Sequence, residues 1–319
     1  MSPAIPKTMK AAVIDKFGGP DVLRLARIPV PEPGDGEILV RVHTAGIGSW
    51  DPWVRGGGMG GDRFPQVIGS DGSGTVAAVG TKVRRFKPGD KVYAYTFENA
   101  KGGFYAEYAA VPEDAAAHVP ADISLEEAGA LAACGLTAIA GIDTLKVKPG
   151  LSLLLMGASG CVGHIALQLA KRRGARVLAV ASGRDGVELA GRLGADGAVN
   201  GKAADVTRAA RKFAPEGCDA ALVFANSARL AGALKQVKKG GIIAYPEGVD
   251  PEPKGFAGIK VVSFNALSNP DAFGRLNGLV AQGPFRVQIG SRYRLDELPR
   301  AHRDVPKHHL GKPVVKIRE

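Results

Sequence analysis

Cysteine is scarce in this chain: Cys134, Cys161 and Cys218 are the three in 319 residues. They lie far apart and offer neither a disulfide framework nor a Cys-x-x-Cys metal clasp. That fits a reducing compartment, and a cytoplasmic location is expected. Aromatic residues make up 6% of the chain, with two tryptophans. Long apolar runs are missing too. The longest near-apolar stretch, 129–142, is glycine-rich and shorter than the roughly 20 residues a bilayer span needs. The N-terminal stretch MSPAIPKTMKAAVIDKF holds no apolar core of the kind a secretory signal carries. Acids are outnumbered: 31 Asp and Glu face 42 Lys and Arg, which leaves +11. The excess is spread along the chain and interleaved with acids. It reads as a solvated basic surface rather than a groove built for a polyanion.

Glycine is plentiful, with 44 residues and no period. A hydrophobic share of 45% and a charged share of 23% exclude disorder, collagen and coiled coil. The length suits about two domains. The first part, to about residue 115, reads as short strands at regular spacing: Met9–Asp15, Glu37–His43, Gly69–Gly80, Pro88–Tyr95 and Gly102–Pro112. Such spacing suits a partly closed β-barrel. Near residue 122 the texture changes. Ser124-Leu-Glu-Glu127 is a capping box, and an alanine-rich helix follows. Leu151–Gly157 is apolar without alternation, as a parallel strand covered on both faces should be. Helices at His164–Arg173, Gly186–Leu193, Val206–Phe213 and Ala228–Val237 then alternate with strands at Arg176–Ala181, near Ala198, at Ala220–Phe224 and at Gly241–Tyr245. That order predicts βαβ units and a parallel sheet. A helix at Pro270–Gln282 and a strand at Pro313–Ile317 complete the first domain. The expected division is 1–123 with 263–319, and 124–262.

Gly157-Ala-Ser-Gly-Cys-Val-Gly163 stands directly after a buried strand and before a helix, where a dinucleotide loop belongs. Its glycines permit a tight turn, close approach of a pyrophosphate and close helix–strand packing. The helix N-terminus supplies N–H groups and partial positive charge. Ala158 replaces the first glycine of the strict G-x-G-x-x-G spacing, and a plain tight turn is the alternative reading. A P-loop is excluded because no Gly-Lys-Ser/Thr follows. The residue ending the second strand distinguishes the dinucleotides. Here the segment is Val-Ala-Ser-Gly-Arg-Asp-Gly, 180–186, without an acid at the strand end. Ser182 and Arg184 are placed to receive a 2′-phosphate, and Asp185 to cap the next helix. Arg184 as a solvated loop cation remains the alternative.

Further segments carry a resemblance to a family. They are MKAAV-x(4)-GGP, AGI…D-x-x-x-R-x-G (Ala45–Gly57), G-x-D-x-x-G-x-V-x-x-V-G (Gly69–Gly80), PGDKVYA, GGFYAEYAAVP, GLTA (Gly135–Ala138), GASGCVG, GGIIAY and HLGKPVVKI. In this order the chain resembles the zinc-independent quinone oxidoreductase branch of the medium-chain dehydrogenase/reductase superfamily, ζ-crystallin type included. The resemblance implies an α/β architecture: a GroES-like β-rich catalytic domain interrupted by a Rossmann doubly wound sheet. It implies NADPH as cofactor. Ser159, Gly160, Cys161 and Val162 would lie at the pyrophosphate, Ser182 and Arg184 at the 2′-phosphate, and Thr137 and Asn226 near the cleft. Tyr245, Glu247, Phe264 and Asn265 would lie near the nicotinamide, with core packing as the plainer reading of Tyr245 and Phe264. A homodimer is expected, paired through strands near Phe256–Leu267.

Zinc-bearing relatives would place their catalytic ligands at Gly48, Ser70 and near Ala133, residues that cannot bind zinc. Cys134 beside the third position is one thiolate and no site. Gly48 also replaces an Asn that most quinone reductases of this kind carry, while Trp50 and Trp53 appear instead. They either pack in the barrel or wall a site for a flat acceptor. Tyr93 and Tyr95 are further pocket candidates, and with Tyr105 they are candidate proton sources. The implied reaction passes hydride from NADPH to a quinone-like small-molecule acceptor without a metal. Two alternatives stay open: reduction of α,β-unsaturated carbonyl or enoyl compounds, and an NADPH-binding protein whose main role is binding RNA. No nucleic-acid motif accompanies the positive charge.

Overall fold

The computed structural model describes residues 4–60 and 63–318. Residues 1–3, at the head of the segment read above for a signal, lie outside the described residues. Eight strands come first: β1 (Thr8–Ile14), β2 (Leu23–Pro29), β3 (Glu37–Gly46), β4 (Gln66–Val67), β5 (Asp71–Val79), β6 (Lys91–Tyr95), β7 (Tyr108–Pro112) and β8 (Ala116–His118). Helix α1 (Asp51–Arg55) lies among them and α2 (Leu125–Thr144) follows. Then come β9 (Ser152–Met156), α3 (Gly163–Arg172), β10 (Arg176–Ala181), α4 (Gly183–Arg192), β11 (Gly197–Asn200) and α5 (Val206–Phe213). Next are β12 (Cys218–Val223), α6 (Ala228–Leu234), β13 (Val237–Pro246), β14 (Lys260–Phe264) and α7 (Pro270–Val280). The chain ends with β15 (Ile289–Arg294), α8 (Leu298–Asp304) and β16 (Lys312–Lys316). Two compact units result: residues 1–133 with 268–274 and 289–319, and residues 134–267 with 275–288.

In the first unit one sheet runs β15-β16-β3-β5-β6-β8, with β7 added on β3, and a smaller one runs β2-β1-β4. Both faces of β3 are largely buried, because three partner strands and an apolar cluster surround it. The capping box forms as expected. Ser124 N–H donates to Glu127 Oε2 at 2.9 Å, and Glu127 N–H to Ser124 Oγ at 3.2 Å. This start extends α2 well beyond the apolar stretch 129–142. By length and composition α2 could cross a membrane, contrary to the reading of that stretch alone, but 72% of its apolar window is buried inside the protein. It is a core helix.

Lys312 and Asp71 form an ion pair at 2.6 Å, with both side chains wholly buried. The pair ties β16 to β5. Asp71 Oδ2 also accepts from the Ala133 N–H at 3.2 Å, which brings in α2. Gly46 on β3 makes room, since a Cβ there would lie 2.5 Å from Lys312 Cε.

The second unit is built on a parallel sheet of order β11-β10-β9-β12-β13-β14. In order of appearance this is 3-2-1-4-5-6, the Rossmann arrangement, whose strand order reverses between its first and fourth strands. Every residue of β9 is buried, as its unbroken apolar run predicts. Two details differ from expectation. Helix α4 begins at Gly183 rather than Gly186, because Gly183 takes φ +75° and turns the chain straight out of β10. Asp185 therefore is not the N-cap, and its carboxylate accepts from the Gly186 N–H at 2.8 Å. Strand β13 starts at Val237, where helix was expected, because Val237 pairs with Cys218.

Removing one partner of a buried ion pair leaves an uncompensated charge, a cost of about 3–5 kcal/mol. Lys312→Met is expected to lose that much in urea unfolding, and adding Asp71→Leu to restore part of it. A loss below about 1 kcal/mol for Lys312→Met contradicts the role given to the pair.

Candidate functional site

The second unit gathers chemistry at the carboxyl ends of its strands. Gly157, with φ +79°, leaves β9 in a turn that only glycine takes readily. Gly157 and Ala158 N–H groups both donate to Val180 O at 3.0 Å, which anchors the loop to β10. A Cβ at Gly163 would lie 2.0 Å from Gly157 O, so only glycine permits this close crossing of helix and strand. Among the described residues no side chain caps α3, and the positive end of its dipole is offered to an anion. This bare backbone cradle fits a pyrophosphate. His164 pins it from behind. Its Nδ1 faces Gly160 O at 2.8 Å, and its Nε2 accepts from the Gln288 N–H at 3.0 Å, so the ring is neutral with its proton on Nδ1. Burial accordingly pushes its pKa down to about 4.

The remaining sequence-predicted cofactor residues fall as follows. Ser159 is buried and its Oγ accepts from the Ser182 N–H at 3.2 Å. Cys161 and Val162 are half-buried in the loop. The Arg184 side chain is 95% exposed and pairs through Nε with Glu188 at 2.9 Å. That leaves its Nη groups facing solvent. Asn226 follows β12 and donates to Pro251 O at 2.7 Å. Tyr245 and Phe264 are buried at the ends of β13 and β14, and just beyond them Asn265 Nδ2 donates to Glu247 Oε2 at 2.7 Å. All of these lie at or just after carboxyl ends of parallel strands, where open α/β sheets bind ligands. Thr137 is on α2, whose next turn packs at Gly141 against Leu222 and Phe264.

The first unit holds a cavity of about 520 Å³ lined by Trp50, Asp51, Val54, Met59, Ser70 and Thr96 among others. The Trp50 indole lies against Gly48: a Cβ at residue 48 would fall 2.4 Å from its ring. The indole Nε1–H donates to Ser70 Oγ at 2.9 Å, and Lys312 Nζ lies 5.5 Å from the ring centroid. Tyr95 meets the indole edge-on. Of the other aromatic candidates, Trp53 is 53% exposed and Tyr93 is wholly buried, its ring edge against Phe273. Neither Trp53, Tyr93 nor Tyr95 lines the cavity. Tyr105 is also buried and donates to Asp51 Oδ2 at 2.5 Å. Burial and the Asp51 charge push its pKa well up, so it is held as a donor to Asp51.

The three positions at which a zinc would be held do not fit one. Gly48 has no side chain and its N–H donates to Asp51. Ser70 Oγ is occupied by the indole, and Ala133 offers a methyl group. Among the described residues no three His, Cys, Asp or Glu side chains come together. The sequence reading missed Asp51, Thr96 and the Lys312–Asp71 pair. The signals available were the aspartates at fixed places in the segments D-x-x-x-R-x-G and G-x-D-x-x-G, and a lysine at the head of the apolar run Pro313-Val-Val.

Asp51 carries a pH signature. Burial pushes its carboxyl up to about 6, against smaller opposing contributions from the Tyr105 hydroxyl and the Gly48 N–H. The folded value thus exceeds the unfolded value of about 3.9. Between the two the folded protein binds more protons, so this group costs stability as pH rises from about 4 to about 6. Asp51→Asn keeps an acceptor and removes the titration. Its stability relative to wild type, from urea unfolding, is expected to rise by about 2 kcal/mol between pH 4 and pH 7. A pH-independent difference contradicts the assignment.

Comparison with known proteins agrees with both units. Residues 34–121 match the alcohol dehydrogenase GroES-like domain family, and residues 161–254 the zinc-binding dehydrogenase family. The quinone oxidoreductase of Sus scrofa is 30% identical over 314 residues, 94% of each chain. The chloroplastic NADPH-dependent alkenal/one oxidoreductase of Arabidopsis thaliana is 34% identical over 295 residues, 90% of this chain and 73% of the relative. A solved NAD-dependent alcohol dehydrogenase superposes with a TM-score of 0.88 at 32% identity, covering 97% of this chain and 100% of that one. From its two matched domains, its Rossmann strand order and these relatives, the chain belongs to the quinone oxidoreductase, ζ-crystallin-like branch of the medium-chain dehydrogenase/reductase superfamily.

Proposed function

We propose that the protein is an NADPH-dependent reductase that delivers hydride to a quinone-like acceptor without a metal. The observation that carries this reading is the Trp50 indole seated on Gly48, a flat apolar surface at the position where a first metal ligand would stand. Such a wall suits a flat, electron-poor ring that needs no Lewis acid to accept hydride. NADPH, when bound, supplies the hydride. Gly157–Gly163 and the start of α3 hold its pyrophosphate, and Ser182 with Arg184 its 2′-phosphate. The guanidinium fork matches phosphate, and no carboxylate stands at the end of β10 itself, while Asp185 in the first turn of α4 works against the phosphate. The protein's share of the work is orientation and exclusion of water. The relative named for alkenals and enones supports a second reading, in which the acceptor is an α,β-unsaturated carbonyl compound.

A homodimer and a cytoplasmic location belong to the same proposal. β14 is an edge strand of the parallel sheet, and Leu267 just beyond it is 59% exposed, which offers strand pairing across a two-fold axis. The three cysteines are free, which is compatible with a reducing compartment. The dimer is expected to give twice the chain mass in light scattering at micromolar concentration, and a monomer mass rules it out.

Cofactor oxidation at 340 nm over a panel of quinones and enones tests the reaction. Turnover of quinones with NADPH preferred over NADH is expected. Faster turnover of enones selects the second reading, and turnover of neither overturns both. In the same assay Arg184→Ala is expected to raise the KM for NADPH about tenfold or more, the worth of a charge-assisted hydrogen bond, while leaving NADH nearly unchanged. Equal effects on the two cofactors, or none, remove Arg184 from the phosphate site.

A further inference from the structure

We propose that Thr96, assisted by Ser70, is the hydrogen-bond donor that receives the carbonyl oxygen of the acceptor in the cavity beneath Trp50. The inference rests on the reading of this cavity as the acceptor site and deepens it to a named polar contact. Thr96 is 8% exposed, and its Oγ1 is buried with no hydrogen-bond partner among the described residues. Leaving such a group unpaired costs about 1–3 kcal/mol. Of the described residues with such an atom, Thr96 is the one that lines the cavity.

Register places a second hydroxyl beside it. On the antiparallel pair β5–β6, Asp71 stands opposite Tyr95, so Ser70 stands opposite Thr96, and the Thr96 N–H donates to Ser70 O at 2.8 Å. Directly opposed residues share a face of the sheet, with Cβ atoms about 5 Å apart. Ser70 Oγ accepts the Trp50 indole proton and keeps its own proton to give. The cavity's other buried polar side chain is committed: Asp51 takes Tyr105 and Gly48. Towards the rim, Lys101 Nζ is held by Glu37 and Glu32 O, and Asn99 Nδ2 by Ala110 O.

The chemistry fits a conjugated carbonyl. Its oxygen gains negative charge as the conjugated carbon takes up hydride, and a fixed neutral donor is then worth more than before transfer. The Trp50 indole holds the ring while the two hydroxyls hold the oxygen. A hydrocarbon of the same shape would fill the cavity and leave Thr96 unpaired.

Thr96→Val keeps the shape and removes the hydroxyl, and Thr96→Ser keeps the hydroxyl. Binding is measured by calorimetry with α-tetralone, an aryl ketone, and with tetralin, the same skeleton without the oxygen. Thr96→Val is expected to weaken α-tetralone about fivefold, the worth of one neutral hydrogen bond, and to leave tetralin unchanged. Thr96→Ser is expected to restore the difference. With 1,4-naphthoquinone and NADPH, Thr96→Val is expected to lower kcat/KM about tenfold without changing the KM for NADPH. Equal losses for both probes, or none, overturn the proposal. If wild type turns over neither quinones nor enones, the proposed function fails, while the two binding arms still judge the hydroxyl.

Discussion

Lys312 and Asp71 face each other with both side chains out of water, 241 residues apart in sequence. An ammonium and a carboxylate at this depth repay their desolvation only with close geometry and further bonds. The further bonds are the Ala133 N–H on Asp71 and the indole face of Trp50 near Lys312. Gly46 leaves the space that both need. The last strand, the central strands of the larger sheet and the first half of α2 are thereby held in one register. The floor of the cavity inherits its precision from them, since Trp50 contacts Lys312, Ser70 precedes Asp71 in the chain, and Thr96 is bonded to the Ser70 backbone. Asp71 Oδ1 remains without a partner among the described residues, so the pair is not fully satisfied.

In the second unit the governing constraint is steric. The crossing of α3 over the end of β9 leaves no room for a Cβ at Gly163. A neutral His164, bonded on both ring nitrogens, locks the helix start to the Gln288 backbone. Arg172, at the other end of α3, donates to the carbonyls of Leu279, Val280, Gly283 and Pro284, and so closes the exposed end of α7. The loop is thus a rigid scaffold with a bare surface, in keeping with a site that binds through backbone.

Much of this was legible in the sequence because it is local. Alternation of strand and helix, the capping box at Ser124 and the glycine loop each announce themselves within about a dozen residues. β2 escaped notice because Leu23–Pro29 mixes charge with apolar residues at a sheet edge. α8 escaped because Pro299 interrupts the expected pattern, although proline is well tolerated in a first turn. The start of α4 was misplaced because a helix rarely opens on glycine. The site itself was legible only in part. Gly48 and Trp50 drew attention as unusual residues, but their contact depends on where the indole turns. Thr96 and Ser70 meet only through strand pairing, and Lys312 and Asp71 only through the closed sheet. Such partnerships are written in three dimensions and leave no periodic trace.

The seating of Trp50 on Gly48 also bears on how such a site can change. Any side chain added at 48 first collides with the indole, at 2.4 Å for the Cβ alone. Reducing residue 50 first, by contrast, opens space and costs packing, the Ser70 hydrogen bond and the contact with Lys312. The two orders of substitution are therefore unequal, and the two positions are epistatic. A chain carrying this pair can reach one with a polar side chain at 48 through a loosened intermediate, and hardly by the reverse order.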